Sequence, residues 1–493
     1  MRRLIRLIRN AVVLVIVAAT VIAAVLLFNV VTHGSRQLPV AAVPPIAVDE
    51  AGAASRLAAA IRFRTIADIA DADHSADAFR GLHAHIAASF PAFHAATTRE
   101  TVGGYSLLYA WQGADPAAKP IAVLAHQDVV PVAPGTEKDW QHPPFDGVVA
   151  DGFIWGRGSW DDKGNLYAIL EAAEALVRDG FKPRRTIYFA FGHDEEVAGL
   201  RGAGAIAALL ASRGVRLDFV LDEGLIITQG ILKGLDRPAA LIGVAEKGYA
   251  TFALKAQGTP GHSSMPPRDT AIGTLSAALV RLEEKRLPTR ISPVVGEMFD
   301  TLAPEMNLFN RIVLSNLWLF RPLLLREFEK TGPTEATVRT TTALTIFNAG
   351  DKDNVLPGHA EAVVNFRLLP GDTQASVAEH IRRTVNNEKI VISAAPGNTD
   401  PAPVTSTSTP SYGALNQTIR ETFSDTVVAP GLMVAATDSR QYAGIADNIF
   451  RFSPVRATSE DLKRFHGSNE RLSVANYGDM IRFYRRLFEN TAR

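Results

Sequence analysis

Histidine and carboxylate side chains follow three short apolar runs of the sequence. They are His126 and Asp128 after residues 121–125, Glu195 and Glu196 after residues 187–191, and Asp222 after residues 219–221. Runs of this kind are typical of strands buried on both faces, and open α/β sheets place their ligands beyond the carboxyl ends of such strands. The sequence therefore predicts a polar site at one edge of one sheet.

A fifth carboxylate, Asp161, lies in a glycine-containing loop before a predicted helix at residues 165–178. Glycines allow the sharp turns that direct such a side chain over the strand ends. Crowded together, Asp161, Glu195, Glu196 and Asp222 would raise one another's pKa unless cations were bound. Two divalent ions sharing one carboxylate, each with an open coordination position, would resolve this conflict.

The chain contains no cysteine, so any metal must be held by His, Asp and Glu. That ligand set suits zinc, with manganese or cobalt as alternatives. His126 and Asp128 stand two residues apart, so that on a strand both side chains leave the same face. Asp128 is then placed to fix the tautomer of a metal-binding His126, although a buried histidine paired with a carboxylate in the core has the same pattern.

The elements around these residues predict an α/β fold, a mixed and mainly parallel sheet flanked by helices. A second module follows, with strand and helix candidates in the order β-α-β-β-α-β, which is typical of a ferredoxin-like unit. We expect a catalytic domain at residues 46–248 and 397–493, interrupted by this module at residues 249–396. Within the module, residues 291–333 form an unusually apolar insertion.

The first 45 residues comprise a basic stub, an apolar segment and a linker. Residues 11–31 are uncharged and long enough to cross a bilayer as a helix, and four arginines precede them. Arg36 is the only basic residue of the linker, so the positive-inside rule predicts a cytoplasmic N-terminus and a periplasmic or lumenal catalytic domain. The alternative is secretion after cleavage of a signal peptide. Lys plus Arg and Asp plus Glu both number 51, which argues against a nucleic acid partner.

The motifs occur in an order that resembles the di-zinc aminoacylase and carboxypeptidase family of metallopeptidases. The nearest branch is that of carboxypeptidase S, a Gly-X carboxypeptidase, and the N-fatty-acyl amino acid hydrolases. The matching residues are His126-Gln127-Asp128, Gly156-Arg157-Gly158, Asp161 with Lys163-Gly164, Asp194-Glu195-Glu196, Asp222-Glu223-Gly224, Gly261-His262-Ser263, Asn354-Val355-Leu356-Pro357, Thr437-Asp438-Ser439-Arg440 and Phe465-His466-Gly467.

The resemblance implies a role for each matching residue. His126 and Asp222 would bind one zinc ion, Glu196 and His466 the other, and Asp161 both. Glu195 would be the general base and Asp128 would orient His126. In the family the inserted module is a lid, often also a dimer interface, and here its contacts would be His262 with the oxyanion and Asn354 and Arg367 with the substrate carboxylate. Arg440 would also bind substrate.

The expected reaction is hydrolysis of an amide bond next to a free C-terminal carboxylate. Carboxypeptidase action on short Gly-X peptides and hydrolysis of N-acyl, including fatty acyl, amino acids share this chemistry. A homodimer through the lid is a further expectation. The alternative from another class is a membrane-tethered protein that binds metal without catalysis; it is disfavoured because the sequence retains both Glu195 and Asp161.

Overall fold

A computed structural model describes residues 2–493. The helices, in chain order, are α1 Arg2–Thr32, α2 Glu50–Ile61, α3 Ala76–Ser89, α4 Pro91–Ala96, α5 Lys163–Arg178, α6 Ala203–Ser212, α7 Ala271–Glu284, α8 Pro293–Leu302, α9 Leu308–Ser315, α10 Leu317–Phe328, α11 Gly332–Val338, α12 Gln374–Val385, α13 Pro410–Thr422, α14 Ser459–Leu462 and α15 Val474–Thr491.

The strands fall into one large sheet and three smaller ones. In chain order they are β1 Thr98–Val102, β2 Ser106–Trp111, β3 Ile121–His126, β4 Val148–Ala150, β5 Phe153–Trp155, β6 Ile187–Gly192, β7 Leu217–Thr228, β8 Ala239–Glu246, β9 Gly248–Gln257, β10 Gly261–His262, β11 Thr341–Ala349, β12 Val355–Leu356, β13 His359–Leu368, β14 Ile390–Ala394, β15 Val427–Met433, β16 Ala446–Ala457 and β17 Arg471–Ser473.

The large sheet has the order β1-β2-β6-β3-β7-β16-β8-β15. Its pairs β6–β3, β3–β7, β7–β16 and β8–β15 are parallel, whereas β1–β2, β2–β6 and β16–β8 are antiparallel. The predicted α/β fold with a mixed sheet is confirmed.

Alternate residues of the central strands enter two separate cores. Val123 of β3 packs with residues of α2, α5 and α15, whereas Leu124 packs with residues of α6 on the other face. Full burial of a side chain of this size stabilises the fold by roughly 1.5–3 kcal/mol. Covering both faces explains why β3 and β6 are apolar runs and why polar side chains are confined to the strand ends.

The second sheet has the order β11-β13-β9-β14, with every neighbouring pair antiparallel. Buried and partly buried residues alternate along β9 and β13, and α7 and α12 cover the buried face. The chain enters this sheet at Lys247, whose buried Nζ donates to the carbonyls of Ala336 (2.9 Å) and Arg339 (2.7 Å). Residues 249–396, which the sequence predicts to form a lid, contain this second sheet.

Between α7 and β11 the chain forms the helices α8 to α11, which occupy most of the apolar insertion at residues 291–333. α8 packs on β15 at one end of the large sheet, and part of α10 joins the main core. Within residues 2–493, α1 is long and apolar enough to cross a membrane, and α9 with α10 meets that test only as one bent pair.

Candidate metal centre

The topology of the large sheet brings distant acidic residues and histidines to one place. His126 is the last residue of β3, and the loop carrying Asp161 leads into α5. Neighbouring parallel strands add Glu196, after β6, and Glu223, within β7. The fifth side chain, His466, lies in the loop between α14 and β17.

The first group of ligand atoms consists of His126, Asp161 and Glu223. His126 Nε2 lies 3.0 Å from Asp161 Oδ1 and 3.6 Å from Glu223 Oε1. The His126 and Asp161 side chains are almost completely buried, and Glu223 is only slightly exposed. The three atoms lie within 4.8 Å of one another, close enough to share a single cation.

The second group consists of Asp161, Glu196 and His466. His466 Nε2 lies 2.7 Å from Asp161 Oδ2 and 3.5 Å from Glu196 Oε1. Glu196 Oε1 is buried and has no hydrogen-bond partner among residues 2–493. Asp161 thus presents one oxygen to each group, which is the arrangement a bridging ligand requires.

These donors fit a pair of divalent cations. Each group supplies one imidazole nitrogen and carboxylate oxygens, without sulfur, and the orphaned Glu196 oxygen has no other role inside the protein. Three protein ligands per ion also match catalytic zinc sites, which keep a further position open.

Burial and neighbouring charges shift the pKa values of the residues in these two groups in opposite directions. Burial opposes ionisation of Asp161, yet hydrogen bonds from His126 and His466 bring the pKa of Asp161 below its ordinary value. The adjacent carboxylates of Asp161 and Glu196 raise the pKa of His466 to about 10, and burial raises the pKa of Glu223 to about 7. Cation binding would therefore release protons from His466 and Glu223, whereas Asp161 is already ionised.

Asp128 organises two parts of the site. Its backbone oxygen lies 3.0 Å, and its Oδ1 3.3 Å, from His126 Nδ1. Its carboxylate also accepts hydrogen bonds from the backbone N–H groups of Glu195 (3.2 Å) and Glu196 (3.1 Å). Asp128 thereby contacts the His126 ring, which the motif predicts it to orient, and also holds the turn that carries the two glutamates.

Glu470 connects the Asp161 loop to the His466 loop through hydrogen bonds. The sequence did not predict this role. Its buried Oε1 accepts hydrogen bonds from the N–H groups of Gly158, Trp160 and Asp161, at 2.9–3.2 Å. Its Oε2 pairs with Arg157, whose Nη2 donates to the carbonyl of His466 at 3.1 Å. A lone glutamate four residues after His466 gives no sequence signal of this role.

The structure does not bring Asp222 into either group. Its carboxylate is buried and accepts hydrogen bonds from the backbone N–H groups of Ser439 (2.7 Å) and Glu223 (2.9 Å). Adjacent strand residues point to opposite faces, so when Asp222 faces these amides, Glu223 faces His126. Glu223 is thus the carboxylate of β7 that lies beside His126, whereas Asp222 stays a predicted ligand that neither group includes.

Two residues predicted to bind substrate lie near the glutamates. Arg367 of β13 stacks on Tyr249 of β9, 4.8 Å from the ring centroid, and its buried Nη1 has no hydrogen-bond partner within residues 2–493. Burial lowers the pKa of Arg367, and the charges near enough to act on it include Arg440 and Glu195. Arg367 thus lies within electrostatic range of both Arg440 and Glu195, and Arg440 Nη2 donates to the carbonyl of Ala198 at 3.1 Å.

His262 and Asn354 lie together, but away from the acidic groups. His262 pairs with Val355 in the ribbon of β10 and β12, and Ser263 N donates to Asn354 O at 3.1 Å. The His262 side chain is exposed and its Nδ1 lies 2.8 Å from Ser264 Oγ. Neither side chain has a hydrogen bond or ion pair with the acidic groups in the described part of the chain.

Comparisons with known proteins agree with the motifs. A family model described as peptidase family M20/M25/M40 matches residues 122–490. The chain is 41% identical over 481 residues to probable carboxypeptidase S-like 2 of Dictyostelium discoideum, covering 95% of this chain and 92% of that relative. It is 42% identical over 439 residues to N-fatty-acyl-amino acid synthase/hydrolase PM20D1 of Xenopus tropicalis, covering 88% and 85%.

A solved structure shares the fold at low sequence identity. Human carnosine dipeptidase 1 superposes with a TM-score of 0.65 at 16% identity, covering 91% of this chain and 99% of that one. The family match and the relatives together confirm the resemblance drawn from the motifs. The chain therefore belongs to peptidase family M20/M25/M40 and is an enzyme of the metallopeptidase and amidohydrolase class.

Proposed function

We propose that this enzyme is a two-metal amidohydrolase that cleaves an amide bond next to a free C-terminal carboxylate. The observation that carries the proposal is Asp161, whose two oxygens each face a separate histidine, at 3.0 and 2.7 Å. His126 and Glu223 would complete one zinc site, and Glu196 and His466 the other. Manganese or cobalt would fit the same donors.

Zinc held by these residues would supply Lewis-acid chemistry, which polarises a substrate carbonyl and lowers the pKa of a water molecule. Glu195 would take the proton of that water and pass it to the leaving amine. No side chain forms a hydrogen bond or ion pair with its carboxylate within residues 2–493, and burial raises the pKa of Glu195 well above its ordinary value. A buried carboxylate with a raised pKa suits transient proton storage near neutral pH.

Arg367 is the residue proposed to bind the substrate carboxylate. Its unpartnered, buried Nη1 and its stacking on Tyr249 present a fixed guanidinium near Glu195. Arg440 lies close by, whereas Asn354 and His262 would reach the substrate after movement of the lid or from the lid of a second copy. The predicted homodimer stays a prediction; the edge strand β11 exposes Ile346 and Phe347 to such a partner.

We expect Arg367→Lys to lower kcat/KM for carboxylate substrates mainly through KM. A bidentate hydrogen bond between charged groups contributes roughly 1.5–3 kcal/mol, which corresponds to about 10- to 150-fold in kcat/KM. The measurement compares Gly-Leu with Gly-Leu amide, because the wild type should prefer the acid and the variant should lose most of that preference. Arg383→Lys, on the exposed face of α12, is the matched control. An undiminished preference for the acid in Arg367→Lys would contradict this role.

The group upstream of the scissile bond has two candidates. The first is a short peptide of the Gly-X type, supported by 41% identity to a relative named as carboxypeptidase S-like. The second is an N-fatty-acyl group, supported by 42% identity to a relative named as an N-fatty-acyl-amino acid synthase/hydrolase. The ratio of kcat/KM for N-oleoyl-phenylalanine to that for Gly-Leu decides between them: a ratio below one assigns the peptide and a ratio above one the acyl group.

We also propose that α1 is an uncleaved membrane anchor with a cytoplasmic N-terminus. Its side chains are almost all exposed, whereas its last turns contact α9 of the folded body. Arg2, Arg3, Arg6 and Arg9 precede the apolar part and fit the cytoplasmic side. Mass spectrometry of the membrane-extracted protein tests this proposal, since a mature chain lacking α1 would instead indicate secretion after signal cleavage.

A further inference from the structure

The helices α9 and α10 carry large apolar side chains that the protein does not cover. Phe309 is 72% exposed and Trp318 is 60% exposed, and Leu308, Leu319 and Leu323 are also exposed. The two helices meet at Asn316 with a bend of 112°. Other residues of the pair, such as Leu314 and Phe328, pack against the main core, so the exposed residues form the outer face of an anchored hairpin.

Hydrogen bonds attach the corner of this hairpin to the end of α1. Asn316 Nδ2 donates to the carbonyl of Leu26 at 3.3 Å, and Asn29 Nδ2 donates to Asn316 Oδ1 at 2.8 Å. Arg311 Nη2 donates to the carbonyl of Val30 at 2.9 Å. The two asparagines thus satisfy each other beside an apolar helix, as polar groups must at membrane depth.

The position of these bonds along α1 determines how deep the hairpin would lie in a bilayer that α1 crosses. Leu26 precedes the end of α1 at Thr32 by six residues, which at 1.5 Å per residue is about 9 Å along the helix axis. Helices that lie in a membrane interface bury their apolar face roughly 5–10 Å deep. If α1 crosses the membrane, the hairpin corner lies at the boundary between headgroups and acyl chains.

The charges on α10 fit the same location. Arg321 and Arg326 are exposed, and neither forms a hydrogen bond or ion pair within residues 2–493. Basic side chains next to an apolar face are typical of interfacial helices, where the cations reach lipid phosphates and the aliphatic stems remain among the acyl chains. Trp318 supplies the aromatic side chain that is enriched at membrane interfaces.

We propose that α9 and α10 form a second membrane contact, with their outer face embedded in the leaflet from which α1 emerges. The inference rests on the proposed anchoring of α1. The outer face of the hairpin contacts lipid and not a second protein copy, because the hairpin is hydrogen-bonded to α1 at the depth of that leaflet. Two contacts would hold the catalytic body in one orientation toward the bilayer, which a single helix and a linker would not do.

The absence of cysteine from the chain allows a direct test. Single-cysteine variants Phe309→Cys, Leu323→Cys, Leu14→Cys and Val391→Cys of the full-length protein are labelled with an environment-sensitive fluorophore. They are reconstituted into vesicles of phosphatidylcholine and phosphatidylglycerol. Leu14 reports on the anchor, and Val391 is an exposed apolar residue of β14 in the second sheet. Quenching is measured with nitroxide groups on the lipid acyl chains and with aqueous iodide.

We expect the acyl-chain nitroxides to quench the labels at residues 309, 323 and 14, and iodide to quench only the label at residue 391. Lipid quenching at residue 14 with iodide quenching at residues 309 and 323 overturns the hairpin contact and leaves the anchor intact. Protection of residues 309 and 323 from both quenchers indicates a second protein copy and also overturns it. Absence of lipid quenching at residue 14 overturns the anchor and the hairpin contact together.

Discussion

Glu195→Gln is expected to lower kcat by about 10²- to 10⁴-fold, the range typical for loss of a general base, while the enzyme keeps its full metal content. Glutamine has nearly the same shape as glutamate but does not accept the proton of the attacking water at neutral pH. The metal groups described above do not include Glu195, so ion binding should persist. Steady-state kinetics combined with elemental analysis of the purified full-length protein measures both quantities.

The matched control is Glu460→Gln, which changes an exposed glutamate of α14, near the His466 loop, and should leave kcat unchanged. Near-wild-type turnover in Glu195→Gln would show that the Glu195 carboxylate is not the general base. Loss of metal together with turnover would instead assign Glu195 to the metal sites, so the two measurements separate a proton-transfer role from a ligand role.

The fold could be predicted where an apolar run of the sequence was compatible with only one type of secondary structure. The buried strands β3 and β6 and the helix α5 were predicted within two residues of their observed limits. In contrast, β15 and β16 belong to the same sheet but were not predicted. β15 contains Pro430 and Gly431, and β16 carries Arg451, which is fully buried against Glu246. Proline is tolerated in β15 because this strand lies at the edge of the sheet, whereas a buried arginine is atypical of a central strand such as β16 and is explained only by its tertiary partner.

The site could be predicted only as far as the motifs reach. The spacing of His126 and Asp128 indicated one strand end, but His466 was identified by family resemblance, because a single histidine near the C-terminus has no periodic partner. Its backbone adopts the left-handed region at φ +57°, which depends on the surrounding loop. Glu470 accepts hydrogen bonds from backbone N–H groups, and such bonds cannot be predicted from a sequence pattern.

The choice between Asp222 and Glu223 depends on strand register. Both residues stand at the expected strand end, and a shift of one residue exchanges the faces to which they point. Gly224 follows with φ +145°, and the pairing of β7 with β16 shifts register beside it. Neither feature can be read from the sequence, so only the coordinates distinguish the carboxylate facing His126 from the one facing the Ser439 amide.

Glu223→Gln is therefore expected to reduce the tightly bound metal from two ions per chain to one. The substitution removes the anionic oxygen 3.6 Å from His126 Nε2 and leaves that group with His126 and Asp161 alone. Asp222→Asn should retain two ions, because its side-chain oxygen can still accept a backbone N–H, and burial already raises the pKa of Asp222 to about 6. Asp222→Asn should lower metal affinity or activity by no more than roughly 10- to 100-fold, the range typical of residues that support a metal ligand.

Elemental analysis after dialysis against a weak chelator measures the stoichiometry of each variant without using activity. Circular dichroism of both variants separates a lost ligand from a lost fold, since either substitution is made in the buried part of the sheet. Two retained ions in Glu223→Gln, with one in Asp222→Asn, would restore Asp222 as the ligand and require β7 to pair in a different register. Loss of both ions in Glu223→Gln would mean that the two groups bind metal as a single cooperative unit through Asp161.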